Sequence, residues 1–251
     1  MFKRFGRAKR SRALAATLGA LTVSNVVSNR VLSAGSAVVW NIGMSAALLA
    51  VARRAGLTDR ELGLGRSQLR DGTRVGLLGA AGIAGLFGVL LSGSGTRRVF
   101  DDDRAGNAGT VDLLHAVLVR IPLGTVILEE VAFRGVLPAL LGRELRGCRP
   151  AAVASLLFGI WHILPSRELG ETSDVMGQAA ARRGAPDPVL LAVVTTAAGG
   201  FGLQEARRLG GHVVAPALIH LTSNILGFVI AWGLPRHRAR VASGTRADPL
   251  E

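Results

Sequence analysis

Residues 121–141 read IPLGTVILEEVAFRGVLPALL. The stretch is long enough to cross a bilayer core, which takes about 20 apolar residues in a helix. It nevertheless holds Glu129, Glu130 and Arg134 close together at its centre. An ionised side chain at that depth costs about 2.5–3.5 kcal/mol even on a lenient insertion scale. Glu130 and Arg134 stand i,i+4 and can pair on one helix face. Glu129 points roughly 100° away round the helix. It therefore needs its own partner, a water-filled cavity or a proton. A buried carboxylate of this kind is a candidate general base.

The composition agrees with a membrane setting. The chain has 251 residues, 49% of them hydrophobic, and a formal net charge of +13; mean hydropathy is +0.38. Oil and positive charge together describe apolar spans separated by basic loops. The apolar content excludes disorder. With no Tyr and 4% aromatic residues, stacking platforms are scarce, so no nucleic-acid partner is expected. The single cysteine, Cys148, excludes a disulfide framework and a Cys-rich zinc site. Lys3 and Lys9 are the only lysines, an Arg bias that reads as genome composition rather than function.

The expected fold class is all-α, a polytopic helical membrane protein with about seven transmembrane spans (six to eight). A basic N-terminal tail covers 1–12, N-terminal spans and loops 13–110, a core with the charged span 111–234 and a polar, mobile tail 235–251. The spans are read at Ala13 to Leu32, Gly35 to Ala52, Val75 to Leu91, Ile121 to Leu141, Pro150 to Leu164, Pro188 to Leu203 and Gly211 to Leu234. The first is interrupted by Ser24, Asn25, Ser28, Asn29 and Arg30. With the basic stretch before it and small residues at Ser33 to Ala37, it has the form of a signal peptide; the spans that follow favour a retained helix. In the third, Ala81/Gly85 and Ala84/Gly88 are small-xxx-small pairs suited to close helix packing. Ser92 to Thr110, with the run Asp101-Asp102-Asp103, reads as a solvated loop, as does Ser166 to Asp187. Arg120 and Pro122 set off Asp112 to Val119 as a separate amphipathic piece.

With the N-terminus inside, 17 Lys and Arg fall in the inner tail and loops and seven in the outer ones, as the positive-inside rule asks. The expected location is thus the bacterial cytoplasmic membrane, N-terminus inside, with anionic lipid as a partner. The tail residues Arg236, Arg238, Arg240 and Arg246 fall outside in this arrangement, against the rule; a miscount of one span would bring them in.

Counting helical rise from the inner face puts Glu129 at roughly 20 Å, His162 at roughly 18 Å and Asn224 at roughly 20 Å, with His220 one turn below Asn224. His220 and Asn224 are i,i+4 and share a face. Each alone reads as a packed or helix-bridging residue; convergence at one depth is what a site requires. A carboxylate with a His can take a proton from water, and a second His with an Asn can hydrogen-bond a developing oxyanion. Two His and a Glu are equally a zinc set with an open position, namely Glu129, His162 and His220. The His-Glu-x-x-His and Gly-x-Ser-x-Gly signatures are absent, which argues against the usual zinc-protease helix and a serine hydrolase. His115, His212 and His237 receive no role. Trp40, Trp161 and Trp232 read as interfacial or packing residues, with Trp161 beside His162 shaping a pocket.

Three ordered motifs now stand out. Glu129-Glu130-Val131-Ala132-Phe133-Arg134 resembles the Glu-Glu-x-x-x-Arg motif of the CAAX protease and bacteriocin-processing (CPBP, or Abi) family of intramembrane proteases. Phe158-Gly159-Ile160-Trp161-His162 resembles its Phe-x-x-x-His motif, and His220-Leu221-Thr222-Ser223-Asn224 its His-x-x-x-Asn motif. The resemblance covers about Ile121 to Gly227. It implies an endopeptidase that cleaves a membrane-associated protein or peptide. Glu129 and His162 would activate water, and His220 and Asn224 would bind the oxyanion. Glu130 and Arg134 would orient the site, and Phe158 would pack beside His162. No cofactor is expected, with zinc the alternative at Glu129, His162 and His220. Two further readings compete: a non-catalytic scaffold or immunity protein, and a proton or ion pathway through the buried Glu and His. Neither requires His220 and Asn224 together.

Overall fold

A computed structural model describes residues 2–93, 95–100, 103–166 and 187–244. Asp101, Asp102, the segment 167–186 and the end of the tail, 245–251, lie outside the described residues. So do the expectations placed on them: part of the acidic run, most of the second polar loop, and Arg246. The described chain is helical, with no strand among the described residues.

The helices are α1 (Phe2–Arg30), α2 (Ala34–Arg54), α3 (Asp59–Leu62), α4 (Leu69–Ser92), α5 (Asp103–Asn107), α6 (Thr110–Leu141), α7 (Arg149–Trp161), α8 (Pro188–Gly210) and α9 (Val214–Gly244). All seven apolar segments are helices. Five stretches are long and apolar enough to cross a membrane: Ala34–Arg54, Asp59–Ser92, Thr110–Leu141, Pro188–Gly210 and Val214–Pro235. The protein is a multi-pass membrane protein. Of the remaining two segments, α1 begins in charged sequence, and α7, with 13 residues, is about 20 Å long.

Capping residues set the ends. Ser33 caps α2 by accepting from the Ser36 amide at 3.4 Å, so the small residues at 33–37 start a helix. Thr58 and Glu61 form a reciprocal capping box on α3, satisfying two amides that the first turn leaves open. Gly63 (φ 73°) and Gly211 (φ 67°) end α3 and α8 in the left-handed conformation, which costs glycine nothing.

Loops after α2, α6 and α8 meet on one face. Arg143 pairs with Glu61, Arg207 donates to the Glu61 carbonyl at 3.4 Å, and the Val213 amide donates to the Gly63 carbonyl at 2.9 Å. At the other end, Trp232 donates to the Ala108 carbonyl at 2.9 Å. The loops assigned to one side by charge thus lie together, and α9 runs away from them toward the opposite end.

Four expectations need correction. First, α6 is continuous from Thr110 to Leu141, so Asp112 to Val119 is not a separate piece. The helix passes Arg120 and Pro122 by widening to π geometry over Ala116–Val126; Pro lacks the amide an α-helix would use there. Second, Ser92 to Thr110 contains a 3₁₀ turn (Thr96–Phe100) and α5. Third, the apolar stretch ends at Pro235, but the first part of the tail continues α9 as helix to Gly244. Fourth, the close approach of α4 to α9 is not at the small-xxx-small pairs. A Cβ at Gly85 or Gly88 would meet nothing within 4 Å, whereas one at Gly72 would stand 2.7 Å from His212 and one at Gly76 3.0 Å from the Ala215 carbonyl. Gly72 and Gly76 face α9 four residues apart, the spacing that lets two backbones approach.

The core is shared by α1, α2, α6 and α7, where Leu21, Leu48, Leu128, Phe133, Val136, Leu137, Phe158 and Trp161 pack together. Leu78, Val89 and Leu118 are exposed, as lipid-facing side chains should be. At the α7/α8 crossing a Cβ on Gly159 would lie 2.5 Å from the Val193 carbonyl and 2.9 Å from Ala197 Cβ. Gly159→Ala is therefore expected to destabilise the protein by about 1–3 kcal/mol. Gly85→Ala, with open space around it, should be near neutral; thermal unfolding of the two variants in detergent checks the contrast.

Candidate active site

The two glutamates sit on a single α-helical turn, Ile127–Glu130, bracketed by π segments Ala116–Val126 and Val131–Val136. Widened helix exposes backbone carbonyls that must be satisfied elsewhere in a membrane. Asn41 of α2 donates to the Gly124 carbonyl at 2.5 Å, and Gln204 of α8 donates to the Phe133 carbonyl at 2.5 Å. Both carboxamide residues are buried and clamp the two π segments on either side of the glutamates. Asn41 also accepts from the Ser28 hydroxyl at 3.0 Å, tying α1 to the same point.

Glu129, Glu130 and Arg134 are 6%, 2% and 1% exposed. As the i,i+4 spacing predicts, Arg134 Nη1 lies 3.3 Å from Glu130 Oε1. The guanidinium carbon stands 4.0 Å over the Phe158 ring, a favourable placement for a desolvated cation. Gly200 of α8 leaves room for that ring: a Cβ there would be 2.9 Å from Phe158.

Glu129 has found a partner of its own. Trp161 Nε1 donates to its Oε1 at 3.1 Å, while Oε2 has no hydrogen-bond partner among the described residues and faces His220 Nε2 at 3.7 Å. His220 is buried, and its Nδ1 lies 2.8 Å from Glu130 Oε1. One imidazole therefore bridges the two carboxylates.

His162 stands where α7 stops. Its Nδ1 donates to the Phe158 carbonyl at 2.8 Å, which leaves Nε2 as the free ring nitrogen, an acceptor when the ring is neutral. The Phe158 and His162 rings meet edge-on at 4.5 Å, so Phe158 does pack beside His162. Glu129 and His162 both line a cavity of about 460 Å³, together with Ser28, Asn29, Asn41 and Arg120. Trp161 lies on its wall and also borders a smaller, mainly apolar groove of about 310 Å³ between α1 and α7.

Thus Glu129, Glu130, Arg134, Phe158 and His220 form one connected cluster, with His162 joined to it through Phe158. Asn224 is half-buried one turn along α9 from His220. It makes no hydrogen bond among the described residues and is not among the residues lining that cavity. Among the described residues no three His, Cys, Asp or Glu are drawn together as a metal-holding group. The site also uses residues that sequence reasoning passed over: Asn25, whose Nδ2 donates to the Trp161 carbonyl at 2.9 Å, Asn41 and Gln204. Their signal was a carboxamide inside an apolar span.

Residues 112–226 match the family model described as type II CAAX prenyl endopeptidase Rce1-like. No curated protein and no solved structure matches the chain. The matched segment runs from α6 into α9 and includes all three motifs, while α1 to α5 precede it. Over this segment, somewhat under half of its length, the chain is similar to the Rce1-like, CAAX-type family of endopeptidases.

Proposed function

We propose that the protein hydrolyses a peptide bond with a water molecule activated by Glu129 and His162. The observation that carries the reading is the Glu129 carboxylate: buried in a spanning helix, held on one oxygen, and lining a polar cavity with a histidine. Water in that cavity would donate to Glu129 and to His162 Nε2, leaving its lone pair for the scissile carbonyl carbon. Glu129 takes the water proton as the carbon–oxygen bond forms. The tetrahedral oxyanion then collapses, the carbon–nitrogen bond breaks, and the leaving amine receives the proton.

His220 and Asn224 serve as the oxyanion donors in this reading. For Nε2 to donate while Nδ1 donates to Glu130, the His220 ring must hold both protons. Two carboxylates would then face two cations, His220 and Arg134, and the buried cluster would have no net charge. That balance is what a low-dielectric site requires. Asn224 would turn its carboxamide to the oxyanion when substrate binds, since it has no competing hydrogen bond among the described residues. The proposed substrate is a membrane-associated protein or peptide, and the proposed location is a bacterial cytoplasmic membrane with the N-terminus and the basic loops inside.

The reaction is proposed to be free of metal. The purified protein, in liposomes with a library of lipid-anchored peptides, is expected to release products with new termini identifiable by mass spectrometry. Cleavage should persist in excess chelator. Loss of activity that zinc restores would overturn the metal-free mechanism, and absence of any product from wild-type protein would overturn the hydrolytic reading.

A further inference from the structure

We infer that Trp161 is a positioning residue for Glu129, an inference that rests on the reading of Glu129 as the base. Its indole N–H donates to one carboxylate oxygen at 3.1 Å. The other oxygen has no hydrogen bond among the described residues and lies beside His220. The two oxygens are thereby made different, one held by the indole and one buried beside the His220 ring at 3.7 Å. A Glu side chain has three rotatable bonds, and proton transfer tolerates only a narrow range of donor–acceptor geometry. A fixed N–H removes that freedom.

Trp161 is itself held from several directions. Its ring packs edge-on against Phe133 at 5.6 Å, and Phe133 is four residues beyond Glu129 on the same helix. It is the last residue of α7, because His162 leaves the helix at φ −83°, ψ 1°. A carbonyl in a last turn lacks an intrahelical partner; Asn25 of α1 supplies one to Trp161 at 2.9 Å. Asn25 Oδ1 in turn accepts from Asn29 Nδ2 at 2.7 Å. A hydrogen-bonded line therefore runs Asn29–Asn25–Trp161–Glu129. Its first two members lie outside the segment 112–226 that matches the family. The N-terminal helix thus helps to hold the base, although it contributes none of the three motifs.

The alternative role for Trp161 is packing alone, and the two roles separate experimentally. Trp161→Phe keeps an aromatic ring against Phe133 and removes the N–H. Benzothienylalanine at position 161 keeps the bicyclic shape and puts sulfur in place of the N–H. The full-length variants, in liposomes, would be assayed on a quenched, lipid-anchored peptide that wild-type protein cleaves. Both are expected to lose about 10- to 100-fold in kcat, the size of a hydrogen bond to a charged group. KM should change little, because ground-state binding is untouched, and the benzothienyl variant should unfold at the wild-type temperature. Wild-type kcat in the benzothienyl variant, with Glu129→Gln inactive, overturns the inference and leaves the base assignment standing. A KM effect or a lowered unfolding temperature without a kcat effect in that variant assigns Trp161 to packing. Full activity in Glu129→Gln overturns the base assignment itself.

Discussion

Glu129→Gln is expected to lower kcat for peptide cleavage by about 10²- to 10⁴-fold, the range for removing a general base. The substitution is close to isosteric. Its carbonyl oxygen can still accept from Trp161 Nε1, so the 3.1 Å contact survives, and its amide takes the place of the oxygen that faces His220 Nε2 at 3.7 Å. What it cannot do is take a proton from water. The fold should persist because shape and the Trp161 contact are kept, although the buried cluster loses one negative charge. Glu130→Gln makes a useful contrast. Glu130 lies behind His220 at 2.8 Å and beside Arg134 at 3.3 Å; neutralising it disturbs charge balance and ring orientation without removing the base. It should therefore lose less in kcat than Glu129→Gln. Rates on a quenched lipid-anchored peptide, with unfolding temperature measured on the same preparations, check both. Equal activity of Glu129→Gln and wild type would remove Glu129 from the chemistry.

The charged turn in α6 was legible in sequence because burial of charge in an apolar span is expensive enough to demand an explanation. The i,i+4 spacing gave the Glu130–Arg134 pair, and rise per residue placed the histidines at a similar level. Neither argument could say which histidine would touch which carboxylate. Depth fixes one coordinate, whereas the bridge from His220 to both glutamates depends on how α9 is rotated against α6. Asn41 and Gln204 were illegible for a different reason. Their partners are backbone carbonyls of Gly124 and Phe133, exposed by π geometry that the sequence signals only through Pro122. Polar residues that read as interruptions of the first span, Asn25, Ser28 and Asn29, are the means by which α1 grips the site. The glycine pairs show the same limit: the four-residue spacing recurs along α4, and only packing against α9 selects Gly72 and Gly76 over Gly85 and Gly88.

Arg134→Met is expected to cost about 3–5 kcal/mol of stability, the usual penalty for removing one member of a buried ion pair. In a protein of this size that lowers the unfolding temperature by roughly 10 °C. The Arg134 side chain is fully buried, and Nε, Nη1 and Nη2 make no hydrogen bond among the described residues. Its stabilisation comes from charge and from the Phe158 face at 4.0 Å. Hydrogen-bond geometry contributes little, so the side chain is retained as a cation. Methionine fills much of the volume but leaves Glu129 and Glu130 facing His220 alone. The double variant Glu130→Gln, Arg134→Met removes one charge of each sign and should recover most of the loss, because the desolvation of both groups is relieved together. Arg134→Lys should fall between wild type and Arg134→Met: it keeps the charge and loses the planar contact with Phe158. A double variant no more stable than Arg134→Met would mean that packing against Phe158, rather than charge balance with Glu130, is what holds Arg134 in the core.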